Sequence, residues 1–117
     1  MNLFFDATFD WPGAYASGRK VHTVRKSARG AKAGAVLKLI AGRFSGRSTF
    51  ATVSCSGTEP VRVRPGSVVV DGTRVDPDVF ASNGGFPSAK AMFDYYGGLD
   101  GHVIHWTPLR YQKRGGQ

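Results

Sequence analysis

The chain has 117 residues and a formal net charge of +8, from 16 Lys and Arg against eight Asp and Glu. Its single cysteine excludes an intrachain disulfide, and its apolar runs are too short to predict a membrane-spanning segment. The length suits one domain, and the charge favours a polyanionic partner, because phosphates attract Lys and Arg over a distance. We therefore expect a cytoplasmic protein whose partner is RNA, DNA or a nucleotide and not a membrane.

The positive charge is concentrated in the first half of the chain. No acidic residue lies between Asp10 and Glu59, an interval that is rich in Lys and Arg. In the second half, arginines and aspartates are nearly balanced. The first half is therefore expected to carry the basic surface, and its polar loop over residues 26–32 is expected to meet backbone phosphates.

The first elements are predicted from apolar runs and capping residues. Residues 3–5 are an apolar run typical of a first strand. Asp10 can cap a short helix that ends near Gly18. The β-branched residues in 21–25 predict a second strand, and the apolar residues 36–40 predict a third.

The middle of the chain predicts further strands and one hairpin. Residues 49–54 form a strand pattern, which 57–60 is expected to break. Residues 61–64 alternate valine and arginine, so the valines should face the core and the arginines the solvent. The Asp71-Gly72 pair, between two runs rich in valine and threonine, predicts a tight hairpin.

The last third predicts a helix and a closing strand. Ser88 can cap a helix that runs to Tyr96, with apolar residues at spacings of three and four. Residues 103–106 predict the last strand of the core. We expect one domain over residues 1–108 and a flexible basic tail over 109–117. Many short strands with a few helices predict a small α+β fold.

Four stretches in order also carry a family resemblance. They are Gly18-Arg19-Lys20-Val21-His22-Thr23-Val24-Arg25, Gly34-Ala35-Val36-Leu37-Lys38-Leu39, Gly84-Gly85-Phe86 followed by Ala91-Met92-Phe93-Asp94-Tyr95-Tyr96, and Gly101-His102-Val103-Ile104-His105-Trp106. Together they resemble the ASCH domain family over about residues 1–108. The resemblance implies a PUA-like small β-barrel with short flanking helices and a basic cleft for RNA or a modified nucleotide.

The resemblance also implies a possible chemistry. In the branch of the family with acetylcytidine amidohydrolase activity, the matching Lys and Thr act together with an acid. Carried over, Thr23 would be the nucleophile and Lys20 its activating neighbour, since lysine can serve as a base when its pKa falls. The acid of the family aligns near Gly84, where this chain has no carboxylate, and Asp94 on the following helix is the alternative.

The residues themselves predict where a ligand would bind. If residues 21–25 are extended, Thr23 and Arg25 share one face, His22 lies on the other, and Lys20 stands at the strand start. An amine, a hydroxyl and a guanidinium close together can bind a phosphate or polarise a carbonyl. Trp11 is expected to stack on a base in the same cleft. The predicted ligand-binding residues are Arg19, Lys20, His22, Thr23, Arg25, Arg43, Arg47 and Tyr95.

Three classes of function remain open from the sequence. The first is RNA or nucleotide binding without catalysis. The second is an enzyme, either the amidohydrolase that uses Thr23 and Lys20 or a ribonuclease that uses Lys20 with His22 or His105, since histidine suits proton transfer near neutral pH. The third is a protein-interaction module. The histidine spacing predicts no metal site, and no cofactor is expected.

Overall fold

The computed structural model describes residues 1–42 and 46–111 of the chain. These residues form short strands and short helices, so the predicted α+β class is confirmed. In chain order the elements are β1 (Asn2–Phe5), α1 (Trp11–Ala16), β2 (His22–Arg25), β3 (Val36–Ala41), β4 (Ser48–Ser54), β5 (Gly57–Arg64), β6 (Ser67–Val70), β7 (Thr73–Val75), α2 (Pro77–Asn83), α3 (Ala89–Tyr96) and β8 (Leu99–His105).

The described strands form two sheets and not one closed barrel. The smaller sheet has the order β1-β3-β4, with β1 parallel to β3 and β3 antiparallel to β4. The larger sheet has the order β2-β8-β5-β6-β7, and its neighbouring strands are antiparallel. One cluster of buried side chains joins them, with Leu3 and Leu39 from the smaller sheet and Val63 and Val103 from the larger.

The outer strands of the two sheets are linked by a side chain. β1 is one of the two outer strands of the smaller sheet, and β2 is one of the two outer strands of the larger one. The guanidinium of Arg25, at the end of β2, donates from Nη2 to the Phe4 carbonyl on β1 at 3.0 Å. We call this junction between β1 and β2 the seam.

Two helix caps and one hairpin turn lie where the local sequence predicts them. Asp10 accepts a hydrogen bond from the Gly13 amide at the start of α1, and Ser88 accepts one from the Ala91 amide at the start of α3. Asp71 and Gly72 join β6 to β7 with φ angles of 47° and 80°. Such positive values are what a two-residue hairpin turn of this kind requires.

β5 is longer than the sequence predicts. Residues 57–60, expected to be a break, form the first half of the strand and pair with β8. The expected alternation holds in the second half, where Val61 and Val63 are buried and Arg62 and Arg64 are exposed. The expected break was wrong because β8 supplies a pairing partner from Gly57 to Val63, which outweighs the preference of Gly57 and Pro60 for turns.

The last described residues pack against the domain. The side chain of Arg110 donates to the Ser56 carbonyl at 2.6 Å, and the Tyr111 amide donates to the Glu59 carboxyl at 3.1 Å. Arg110 and Tyr111, at the start of the stretch predicted as a flexible tail, thus contact Ser56 and the β5 residue Glu59; residues 112–117 lie outside the described part. No described helix is both long and apolar enough to cross a membrane.

Candidate functional site

Lys20 lies inside the fold, just before β2. Only 2% of its surface is exposed. Its Nζ donates to the His22 carbonyl at 2.9 Å and to the Gly84 carbonyl at 2.7 Å. The same nitrogen lies 4.7 Å from the ring centroid of Trp11 and 5.0 Å from that of Phe5. The amine is therefore held by two backbone oxygens within an aromatic enclosure.

This enclosure changes the acid–base behaviour of Lys20. Burial lowers the pKa of its amine well below the ordinary value, and the positive charges of Arg25 and Arg19 lower it further. A neutral amine still has two N–H groups, which is enough for both carbonyl acceptors. The nearest acceptors of Lys20 are thus compatible with a neutral amine, which is the form that can act as a base.

Thr23 is buried on β2 beside α3. The Thr23 side chain is hydrogen-bonded to the Tyr96 hydroxyl on α3. Burial raises the pKa of this hydroxyl, although Arg25 and the hydrogen bonds with the Val24 backbone and the Thr23 side chain act to lower it. Within the described residues no hydrogen bond joins Lys20 Nζ to the Thr23 hydroxyl. The structure gives these two residues different partners.

An open cleft of about 590 Å³ lies at the seam. It brings together three of the predicted ligand residues, which are Arg25 at the end of β2, Arg47 directly before β4 and Tyr95 on α3. The lining residues are Phe4, Phe5, Asp6, Arg25, Gly42, Arg47 and Tyr95. We call it the seam cleft.

Arg25 forms one wall of the seam cleft. Its guanidinium carbon lies 4.7 Å from the ring centroid of Phe5, and Nη2 is bonded to the Phe4 carbonyl. Its Nε is buried and has no hydrogen-bond partner among the described residues. Burial lowers the pKa of Arg25, while Tyr96, Tyr95 and Asp6 act in the opposite direction. The guanidinium is thus joined to β1 through Phe4 and Phe5, and arginine remains cationic at neutral pH.

The seam cleft also has exposed aromatic lining. The guanidinium carbon of Arg47 lies 4.8 Å from the ring centroid of Phe4, which is 46% exposed. Tyr95 is 39% exposed and donates its hydroxyl to Asp6 Oδ2 at 2.9 Å. Exposed aromatic rings next to guanidinium groups can stack on a flat ligand and hold an anion attached to it.

Asp6 supplies the negative charge of the seam cleft. Its Oδ1 accepts a hydrogen bond from the Thr8 amide at 3.0 Å. Partial burial opposes ionisation, but hydrogen bonds from the backbone and side chain of Thr8 and from the Tyr95 and Trp11 side chains outweigh it and lower the pKa of Asp6. The sequence analysis missed Asp6 and Phe4, because they flank the end of an ordinary apolar strand. The only sequence signal was an acidic residue directly after that strand.

The histidines of β2 and β8 lie in a separate buried group. His22 and His105 are opposite each other in the sheet, are fully buried, and have ring centroids 5.5 Å apart. His22 Nε2 is hydrogen-bonded to the Tyr111 hydroxyl, which also accepts from Asn83 at 3.0 Å. His105 Nε2 contacts Glu59 Oε1 at 2.8 Å. We call these five residues the histidine cluster.

Several other predicted site residues lie away from the seam cleft. Arg19 donates to the Phe86 carbonyl at 2.7 Å, and Trp11 is buried beside Lys20. Asp94 is paired with Lys90 on the exposed side of α3 at 2.7 Å. Arg43 lies outside the described residues. The structure therefore brings Arg25, Arg47 and Tyr95 together and leaves Arg19, Lys20, His22 and Thr23 outside the lining of the cleft.

Neither a cluster of metal ligands nor a known relative points to another site in the described part of the chain. Within the described ranges, no three His, Cys, Asp or Glu side chains lie close enough together to hold a metal ion. In comparisons with known proteins, no family model, no curated protein and no solved structure matches the chain. The case for function therefore rests on the geometry of the seam cleft and on the sequence.

Proposed function

We propose that this protein binds RNA or a nucleotide in the seam cleft. The observation that carries the proposal is the meeting of two guanidinium groups with two exposed aromatic rings around one cleft. Arg25 and Arg47 supply the positive charge, and Phe4 and Tyr95 supply the rings. Their charge outweighs that of Asp6, so the cleft is net positive within a chain that carries +8 overall.

Each part of the cleft has a role in such binding. Arg47, which is exposed above Phe4, is placed to hold a phosphate while a base stacks on the ring. Stacking on an aromatic ring contributes about 1–3 kcal/mol per base and tolerates any sequence. Phosphate contacts add affinity that weakens as salt is raised. The binding free energy of the proposed complex therefore has a salt-sensitive part from phosphate contacts and a salt-insensitive part from stacking.

We also propose that the fold is a variant of the PUA-like barrel of the ASCH family. The support is that Gly84, where the acid of that family aligns, accepts a hydrogen bond from Lys20 Nζ. A carbonyl at this position would replace the carboxylate. The seam, where β1 and β2 are joined through Arg25, would be the place at which such a barrel is left open. The cytoplasm is the setting that we propose for it.

A second candidate is hydrolysis of an acylated nucleoside, with Thr23 as nucleophile and Lys20 as base. The lowered pKa of Lys20 favours it. The burial of both residues and the backbone acceptors around Nζ make it the weaker candidate. Turnover of acetylcytidine that disappears in Thr23→Ala would establish it. RNA cleavage that disappears in His22→Ala would instead support a ribonuclease.

The proposed binding is tested with a fluorescent single-stranded RNA and matched arginine variants. Arg47→Ala removes an exposed cation from the cleft, whereas Arg74→Ala removes an exposed cation on β7, which lines a different groove. We expect Arg47→Ala to weaken binding about tenfold at low salt and to flatten the salt dependence. Arg74→Ala should change affinity much less.

Two outcomes would contradict the proposal. Equal losses in the two variants would mean that RNA binds through general charge and not in the seam cleft. Absence of salt-dependent binding to RNA, DNA and nucleotides would favour the third candidate, a module that binds another protein.

A further inference from the structure

We propose that the ligand is a single-stranded RNA of several nucleotides, which runs from the seam cleft across the exposed face of the smaller sheet. This inference rests on the proposed function, because it assumes that one nucleotide of the strand occupies the cleft. Phe4 on β1 and Arg47 directly before β4 line the cleft, and both are exposed. The cleft therefore borders a larger surface. We call this surface the open sheet face, with the exposed residues Asn2, Phe4, Val36, Lys38, Thr49 and Thr52.

Strand pairing places these exposed side chains in rows. In β1 and in the first part of β3, exposed residues alternate with buried ones. Asn2, Lys38 and Thr52 are paired across the three strands, and Phe4 lies in the next row, opposite Ile40. Paired residues point to the same side of a sheet. Phe4 and Lys38 are therefore neighbours on one side, with Cα atoms about 8 Å apart from the usual strand spacing and rise.

The open sheet face carries positive charge and no carboxylate. None of the residues of β1, β3 and β4 is acidic. Lys38 is exposed, and within the described part of the chain it forms no ion pair. Arg47 adds a second cation above the ring of Phe4. The charges thus attract a row of phosphates along a line from the cleft to Lys38.

The exposed face of the larger sheet differs in this respect, because its arginines have acidic partners. Arg62 Nε lies 3.4 Å from Asp100 Oδ1, and Arg64 Nη2 lies 3.0 Å from the same oxygen. Asp71 and Asp100 also line the groove beside them. Carboxylates repel phosphates, so the charge favours the smaller sheet as the surface that an RNA strand follows.

The apolar side chains of the open sheet face account for the choice of a single strand. Phe4 is 46% exposed and Val36 is 55% exposed. Bases in duplex RNA are paired and stacked on one another, whereas the bases of a single strand can stack on an aromatic side chain. Phe4 therefore offers a ring to one base, and Lys38 is placed for a phosphate farther along the strand.

The test compares a uridine dinucleotide with a uridine octamer. The dinucleotide can fill the cleft alone, and the octamer is long enough to reach Lys38. The octamer offers several positions at which the cleft can bind, so a gain in affinity of about sevenfold would be statistical. We expect the wild-type protein to bind the octamer about a hundredfold more tightly than the dinucleotide, because phosphate and stacking contacts are added.

Matched lysine variants locate the additional contacts. Lys38→Ala should weaken binding of the octamer about five- to tenfold and lower its salt slope by about 1, while binding of the dinucleotide is unchanged. Lys90→Ala removes an exposed lysine on α3 that is paired with Asp94, and it should change neither affinity. Thr52→Asp places a carboxylate in the row of Lys38 and should weaken only the octamer. Thermal unfolding confirms that each variant is folded.

The failures of the two proposals are distinguishable. If the octamer gains no more than the statistical factor, or if Lys38→Ala binds it as Lys90→Ala does, the path across the sheet is overturned and binding in the cleft still stands. If the free protein is a dimer that Thr52→Asp dissociates, the open sheet face is a contact between two copies, and the path is overturned as well. If neither probe and no nucleotide binds, both proposals are overturned.

Discussion

The seam cleft and the histidine cluster contain the same kinds of side chain, but they differ in what surrounds those side chains. Both combine aromatic rings with titratable groups. In the cleft, Phe4 and Tyr95 are exposed, and the guanidinium of Arg47 lies over the Phe4 ring. In the cluster, His22 and His105 are fully buried and their Nε2 atoms already have protein partners.

This difference separates a surface that can bind from one that stabilises the fold. The Nε2 atoms of both histidines bond protein groups, and their Nδ1 atoms are buried without a partner among the described residues, so neither ring offers an accessible group to a ligand. The histidines were candidates for proton transfer because their ordinary pKa lies near neutrality. Burial instead places them among Phe80, Tyr111 and Glu59, where they join β2 and β8 to the last described residues. The cleft keeps the open positions that recognition requires.

The largest expected effect comes from breaking the histidine cluster at Glu59. Glu59→Ala removes the carboxyl oxygen that is hydrogen-bonded to His105 Nε2 and to the Tyr111 amide, so both lose this buried partner. Removing one member of a buried pair of this kind costs about 3 kcal/mol of unfolding free energy. Urea denaturation measures it. The control is Asp94→Ala, which removes an exposed acid on α3 and should change stability little. Equal losses of unfolding free energy in the two variants would contradict a stabilising role of the buried cluster.

The next effect is a dependence of stability on pH. Burial lowers the pKa of His22, helped by Lys20 and His105, and burial lowers that of His105 against the influence of Glu59. The unfolded chain therefore takes up protons at pH values where the folded protein does not. Stability should be fully present above about pH 6.5 and fall below it by about 1 kcal/mol per pH unit for each histidine.

Urea unfolding between pH 7 and pH 5.5 checks this dependence. His22→Gln should reduce the slope by about half, because one of two buried histidines is removed. His102→Gln, at a half-buried position that lines another groove, controls for the loss of a histidine as such. A slope that is unchanged in His22→Gln would show that the cluster does not exclude protons.

The elements that depend on nearby residues could be predicted from the sequence. The Asp71-Gly72 turn and the Ser88 cap are set by contacts within three residues, so their signals are complete in the local sequence. The alternation of Val61 and Arg62 likewise shows one face of β5. These features follow from backbone geometry and hold in almost any surrounding fold.

The candidate site could be predicted only in part, because it is assembled over long distances. Arg25 and Tyr95 were identified by residue type, but Asp6 enters the cleft through a hydrogen bond with a partner 89 positions away. Strand alternation placed His22 and Thr23 on opposite faces and could not show that both faces of β2 are covered. Tyr111 stands in a basic stretch that predicts fraying, yet its hydroxyl has buried partners.

The smallest expected change in stability comes from removing one tyrosine hydroxyl. The same group can be removed from the histidine cluster and from the seam cleft, which makes the comparison direct. Tyr111→Phe removes a hydroxyl bonded to His22 and Asn83, and Tyr95→Phe removes one bonded to Asp6. We expect a loss of about 1–2 kcal/mol in the first variant, because buried polar groups are left unpaired. We expect about 0.5 kcal/mol or less in the second, since water can replace the hydroxyl beside an exposed carboxylate.

Binding should show the reverse order in these two tyrosine variants. Tyr95→Phe loses the hydrogen bond to Asp6 that orients the ring in the seam cleft, so it should weaken RNA binding there while Tyr111→Phe leaves binding unchanged. Urea denaturation and RNA titration of the same two preparations make both measurements. If Tyr111→Phe weakens binding as much as Tyr95→Phe, the two regions are coupled through β2, and the histidine cluster would have to be counted as part of the binding site.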